Sequence, residues 1–408
     1  METLISAGQV LAGPPGQRTT GGAVLLDGPI IRAVGPHAEV APLASPGALR
    51  LAYPTATILP GLIDAHVHLA FDSGPDPVGT LMKSDDSALL TAMAGRARQL
   101  LHSGVTTVRD LGDRGGLAVR LRDAIASGQA AGPRILTATA PLTAPGGHCW
   151  FLGGEVDGEQ AIRDQVKRNI RQGADVIKVM VTGGHLTPGG SAMWESQFTE
   201  AELAAAIDEA QRGGKPVAAH AHGTAGIVMA VAAGVDTIEH CTWANGRGFD
   251  EPVETAGKMA RQGVHVCAAI SADWRNYAAK YGQAIADRLL ERVRWLDAQG
   301  VPLVAGTDAG IPDAPFDDFA GSLELFEHLG FPRERVLALA TTEAAGAVGL
   351  REHTGRLAPG LDADLLVVDA DPLRSIAALR AVELVVTRGR LHHVEREGEG
   401  GTCPTPGA

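Results

Sequence analysis

From about residue 61 to residue 350, short β-rich runs alternate with helix-like stretches, and this alternation limits the fold more than any other feature. The β-rich runs are LIDAHVHL (62–69), VTTVRD (105–110), RILTAT (134–139), DVIKVMV (175–181), PVAAHA (216–221), VDTIEH (235–240), VHVCAA (264–269) and PLVAGTD (302–308). Helical segments such as DSALLTAMAGRARQLLHSG and TEAELAAAIDEAQRGG lie between them. The second opens on Thr199 with Glu202 three residues on, the pattern of a capping box. Glycine closes several of these segments just before the next strand, at positions 104, 173, 234 and 263. Eight strand–helix units in roughly 290 residues match an α/β fold of the (β/α)₈ TIM-barrel type in count and length. A doubly wound open sheet is the rival; the count of eight and the site residues below decide for the barrel.

Both chain ends differ in texture from this middle. Residues 1–58 hold GGAVLLDGPIIRAVGP, and residues 355–395 hold GRLAPGLDADLLVVDADP and VELVVTRGR, all short strands and turns. Neither end can bury a core alone, so the two are expected to pair as one small β-sandwich beside a catalytic barrel spanning 59–354. Residues 396–408 are expected to be a flexible tail.

A net charge of −12 without a basic stripe argues against nucleic acid as a partner. No apolar run reaches the ~18 residues of a membrane span, and the N-terminus lacks the basic and apolar segments of a secretion signal. The scattered Cys149, Cys241, Cys267 and Cys403 read as reduced thiols of a cytoplasmic protein.

In a barrel the site lies where the strands end. His66 and His68, two apart on the first strand, point to one face. Lys178 lies on the fourth strand, and His220, His240 and Asp308 end the fifth, sixth and eighth. Lys178 shares a face with Val176 and Met180, and a barrel strand is covered on both faces, so its amine is buried. Burial lowers a lysine pKa until the amine is neutral. A neutral amine can react with CO₂ to give a carbamate, an anionic ligand able to bridge two metals. Snorkelling to the rim, or pairing with Asp175 or Glu239, is the plainer reading of Lys178 taken alone. Four imidazoles, a carboxylate and a carbamate suit two divalent metal ions, Zn²⁺ first and Mn²⁺ or Co²⁺ as substitutes. Such a pair generates hydroxide near neutral pH and polarises a carbonyl; Asp308 would collect the nucleophile's proton and pass it to the leaving amine.

His66-Val-His68, Lys178, His220, His240 and Asp308, in this order, resemble the amidohydrolase superfamily, and with the end segments the likeness covers almost the whole chain. TTVRDLGD, GGHCWFLGGEVDG, GADVIKVMVTGG, VAAHAHG, GVDTIEH and GTDAG are similar to the imidazolonepropionase-related subgroup, which includes prolidase-like Xaa-Pro and Xaa-Arg/Lys dipeptidases and ochratoxin-type amidases. The resemblance implies that His66, His68 and Asp308 bind one metal, that His220 and His240 bind a second, and that carboxylated Lys178 bridges them. It also implies a homo-oligomer. Imidazolonepropionases lack the strand-four lysine, so Lys178 points to the dipeptidase-like branch. The expected activity is hydrolysis of the amide of a dipeptide or N-acyl amino acid by a metal-bridging hydroxide. The alternatives are a cyclic amidine or lactam hydrolase, a carbamate or urea hydrolase, and a non-catalytic metal-binding barrel.

The expected substrate contacts come from the loops after the strands. His148 is expected over the mouth, and Trp150, Trp194 and His185 could form a wall. Arg275 could clamp a carboxylate through two parallel hydrogen bonds, with Tyr277 nearby. His222 could replace His220 as a ligand by spacing alone; the family pattern favours His220. Arg109 and Asp110 read as an internal ion pair supporting the site.

Overall fold

The structure, a computed structural model, describes residues 2–394, so the expected tail at 396–408 lies outside the described residues. Eight parallel strands follow one another in the expected order: β5 (Leu62–Val67), β6 (Val105–Asp110), β7 (Arg134–Thr137), β8 (Ile177–Met180), β9 (Val217–Gly223), β10 (Thr237–Ala244), β11 (His265–Cys267) and β12 (Leu303–Val304). They are preceded by β1 (Glu2–Leu11), β2 (Arg18–Asp27), β3 (Ile30–Pro36) and β4 (Leu49–Pro60), and followed by β13 (Leu365–Val368), β14 (Val382–Thr387) and β15 (Arg390–His393).

The parallel strands form two sheets, β5-β6-β7 and β8 to β12, rather than one continuous closed ladder. At both seams the bridging residues lie beyond the ends of β7 and β12, at Leu142 and at Ala305 to Ala309, so the contacts are isolated bridges rather than a ladder. A few isolated backbone bonds span each gap. Leu142, beyond β7, donates to Lys178 O at 2.9 Å and accepts from Met180 N at 2.8 Å. At the other seam Ala65 N–H donates to Ala305 O at 3.1 Å. The outward residues Ile177 and Val179 pack into the large apolar core while Lys178 and Met180 face the opposite way, the alternation that a period of two dictates.

Helices Asp86–His102, Gly158–Gln172, Glu200–Arg212 and Gln283–Ala298 are among those between the strands. Thr199 and Glu202 make the reciprocal capping box expected of them.

The chain ends meet in one seven-stranded mixed sheet, β15-β14-β13-β4-β1-β2-β3, rather than in two separately hydrogen-bonded layers of a sandwich. Twelve-residue β4 is the reason: it pairs parallel with β1 and antiparallel with β13, splicing the two ends into one ladder. Ile5, Val24, Ile58, Leu365 and Leu384 form its apolar face. Gly61 joins β4 to β5 where a Cβ would stand 2.1 Å from Thr106 Oγ1, so only glycine fits.

Candidate active site

The β12–β5 seam builds the first part of the site. Asp308 N–H donates to His66 O, and His68 N–H to Ala309 O, both at 2.8 Å, which brings the two ends of the parallel-strand region side by side. His66 Nε2 then lies 3.3 Å from His68 Nε2 and 3.3 Å from Asp308 Oδ1, and His68 Nε2 is 3.4 Å from the same oxygen. His66 Nδ1 faces Glu239 Oε2 at 2.8 Å and His68 Nδ1 faces Gly112 O at 3.4 Å. Each ring therefore keeps its proton on Nδ1 and presents a lone pair at Nε2. With both Nε2 lone pairs free, three acceptors converge and call for a cation; without one, Asp308 and Glu239 raise the His66 pKa against burial and Lys178, so that a proton stands in the cation's place. Tetrahedral ligands held at zinc distances stand ~3.3 Å apart, the edge length of this triangle. The residues fit a divalent metal.

Burial opposes ionisation of Asp308, yet His66, itself raised by Asp308 and Glu239 against its burial, outweighs it, with smaller help from His68 and Lys178, and the carboxyl comes down to about 2. Burial lowers His68 to about 3, so its ring is neutral at physiological pH and available as a ligand. Asp308 and His240 have φ of +60° and +69°, a left-handed conformation that costs non-glycine residues energy and concentrates at functional sites.

His220 and His222 on β9 and His240 on β10 bring ligand atoms within 4.8 Å of one another. Burial first, then neighbouring groups (His148 for His220 and His222, His222 and His220 for His240), holds all three rings well below the ordinary imidazole value and keeps them neutral. His220 Nε2 lies 3.1 Å from Gly183 O, and His222 Nδ1 lies 3.1 Å from Thr242 Oγ1 while its ring stacks on His240 at 4.6 Å. Both β9 histidines thus belong to this group. Lys178 lines the same cavity at 1% exposure. Burial depresses its pKa against the pull of Glu239 and Asp308, and among the described residues its Nζ makes no hydrogen bond.

Glu239, one residue before His240, is a support that the sequence reading placed only as a possible lysine partner. Its Oε1 accepts from Arg109 Nη2 at 2.8 Å and from Thr237 Oγ1 at 2.7 Å, while Oε2 holds His66. The expected Arg109–Asp110 pair is therefore corrected: successive strand residues face opposite ways, so Arg109 reaches Glu239 while Asp110 accepts from the Leu69 and Gly112 amides. Asp175 pairs with Arg122 rather than with Lys178.

A cavity of about 360 Å³ opens onto both groups, lined also by His148, His185, His222 and Tyr277. Trp150 and Arg275 do not line it, and neither does Trp194. Cys149, at φ +56°, takes the inward position and turns the next residue, Trp150, out to 41% exposure. Trp194 is 44% exposed and lies against Gly246. Arg275 stacks on Trp274 at 4.2 Å and pairs with Glu324 at 2.9 Å, drawn outward because Trp274 Nε1 is anchored on Gly321 O. Arg292, which the sequence reading missed, lines the cavity instead. One signal for it existed: Arg292 shares a helical face with Ile285 and Leu289, a charge on an apolar stripe.

His148 lies over His220 at 4.6 Å, and Gly184 makes room for it, since a Cβ there would stand 2.5 Å from His148 Nε2. Thr187 Oγ1 accepts from Cys149 N and can donate to His148 Nδ1 at 3.3 Å, leaving the ring proton on Nε2. Burial brings His148 down to about 4. As pH falls from 6.5 towards 4, the unfolded chain takes a proton that the folded ring refuses. Stability is therefore lost across that window, by about 3 kcal/mol for this group. His148→Gln is expected to lose less stability than the parent between pH 7 and pH 5. Urea unfolding of metal-free protein checks this, and equal losses would refute it.

Strand ends thus bring candidate metal ligands together over one cavity. The chain belongs to the amidohydrolase family, whose model matches residues 57–392. Ochratoxinase from Aspergillus niger is 28% identical over 423 residues, covering 94% of this chain and 84% of the fungal protein. The solved structure of a Xaa-Pro dipeptidase with bound methionine in its active site superposes with a TM-score of 0.85 at 29% identity, covering 96% of this chain and all of the other. A prolidase complexed with N-methylphosphonate-L-proline gives a TM-score of 0.83 at 27% identity, over 96% and 100% of the two chains. The protein is an enzyme hydrolysing C–N bonds in a family that generally uses divalent metals. No helix among the described residues is long and apolar enough to cross a membrane.

Proposed function

We propose that this enzyme is a two-metal amidase that cleaves the amide of a dipeptide or N-acyl amino acid. The observation that carries the reading is the convergence of the His66, His68 and Asp308 ligand atoms, 3.3–3.4 Å apart, beside a three-histidine group and a buried lysine. On this reading the two parallel sheets act as one eight-strand ring, and the seven-stranded end sheet is its accessory layer. Similarity to proteins named Xaa-Pro dipeptidase and prolidase supports the substrate class.

His66, His68 and Asp308 would hold one metal, and His240 with His220 or His222 the other, Zn²⁺ being the first choice for this imidazole-rich set. Lys178, kept neutral by burial, would carry a CO₂-derived carbamate between them. Bound there, the metals supply Lewis acidity and a nucleophile at neutral pH. Asp308 Oδ1 belongs to the ligand triangle, which leaves Oδ2 to accept the proton of the attacking water and hand it to the leaving nitrogen. Its low pKa keeps it ionised for that task. His148 offers a neutral Nε2–H to the substrate oxygen, and Glu239 holds His66 in the required tautomer.

The test is incubation of Zn²⁺-loaded protein with Xaa-Pro, Xaa-Arg/Lys and N-acyl amino acids together with cyclic imidazolones, products read by mass spectrometry. Amide cleavage with about two metals per chain is expected. Ring opening without amide cleavage would move the assignment to a cyclic amidine or lactam hydrolase, and a single bound metal would remove the two-metal reading.

A further inference from the structure

Arg292 lies on the Gln283–Ala298 helix and lines the cavity together with Ile285 and Leu289 of the same helical face. It is half-buried, and its neighbours leave it short of acceptors. Among the described residues its one hydrogen bond runs from Nη2 to Ala268 O at 3.3 Å, and its sealed Nε has none. No carboxylate among the described residues forms a salt bridge with it. Of the acids on its outer face, Glu251 pairs with Arg288 at 3.1 Å, Asp250 accepts from Thr224 and Asn245, and Glu291 makes no ion pair with it. Desolvation brings even this guanidinium down to about 10, with only the Cys241 and Tyr277 groups opposing.

A desolvated guanidinium without a counter-ion costs stability, and proteins keep such groups where an anion completes them. The fork matches a carboxylate through two parallel bonds. The same cavity is lined by Phe249, Tyr281, Ile285 and Leu289, a wall suited to an apolar side chain and not to a second charge.

We infer that Arg292 is the anchor for the free carboxylate of the substrate's leaving amino acid, with the Ile285–Leu289 face and Tyr281 selecting a large apolar side chain at that residue. The anchor expected in the loop at Arg275 is thus supplied by the following helix. This inference rests on the cavity being the amide-binding site of the proposed amidase. Arg292 is a binding residue: it fixes which end of the amide faces the metal ligands and carries no proton.

The experiment compares binding of N-methylsulfonyl-L-phenylalanine and its carboxamide, whose sulfonamide bond the enzyme does not hydrolyse, to the full-length, metal-loaded protein by calorimetry. The two probes differ only in the charge that Arg292 reads. The parent is expected to favour the carboxylate by roughly 10- to 100-fold, and Arg292→Met to reduce that preference to about threefold or less, with metal content unchanged. Arg292→Lys should keep part of it, because the charge stays and the fork is lost. If the methionine variant does not fold, Arg292→Gln reads the same ratio. Equal binding of both probes by the parent, or a preference that survives loss of the charge, would overturn the inference. Absence of amide hydrolysis across the substrate panel would sink the proposed function while leaving this ratio to be read on its own.

Discussion

Lys178→Met is expected to lower amide hydrolysis by on the order of 10³-fold while leaving the protein at least as stable as the parent. The two effects have one cause. Lys178 is 1% exposed, burial drives its ammonium towards neutrality, and its Nζ makes no hydrogen bond among the described residues. A polar group so placed costs about 1–3 kcal/mol when nothing completes it. Methionine has nearly the same length without that cost, so folding should not suffer. Function should, because no thioether can form the carbamate proposed to bridge the metals. Melting temperature, metal content and kcat/KM on the same preparation separate the outcomes. Activity within tenfold of the parent would show that Lys178 is only a packed residue, and a large fall in melting temperature would show a structural one.

Glu239→Gln should act the other way, on stability first. The carboxylate has no exposed surface, joins Arg109 and Thr237 to His66, and is held well below the ordinary range by Arg109 and His66 despite its burial. Removing its charge strands the Arg109 guanidinium, itself 3% exposed, at a cost of about 3–5 kcal/mol. It also weakens the bond that keeps the His66 proton on Nδ1, which should reduce metal affinity roughly 10- to 100-fold. Urea unfolding and a zinc titration with a competing chelator measure both. A change below about 1 kcal/mol with unaltered affinity would mean that Arg109 finds another acceptor and that the Glu239 link is dispensable.

Much of this site was readable before any coordinates. His66 and His68 share a face because strand side chains repeat every two residues, and Lys178 is buried because both faces of a central parallel strand are covered. The Thr199 cap and the strand order were legible for the same reason: they follow from local periodicity and local hydrogen bonding. Loop residues obey no such period. Whether Trp150 points in or out is decided by the left-handed turn at Cys149, and whether Arg275 meets substrate is decided by Glu324, forty-nine positions away.

The sequence by itself determined the alternation of strands and helices and the types and strand positions of the ligand residues, since each depends on neighbours within a few positions. Tertiary structure alone decided the partners: Asp308 beside His66 across the β12–β5 seam, Arg109 on Glu239 rather than Asp110, His222 beside His240, and Arg292 in the cavity. It also decided that the chain ends make one sheet, because β4 happens to pair on both sides. The physical reason is the same throughout. Backbone periodicity sets the direction of a side chain, whereas its partner is whichever group the closed packing brings within about 3 Å, and that is a property of the whole chain.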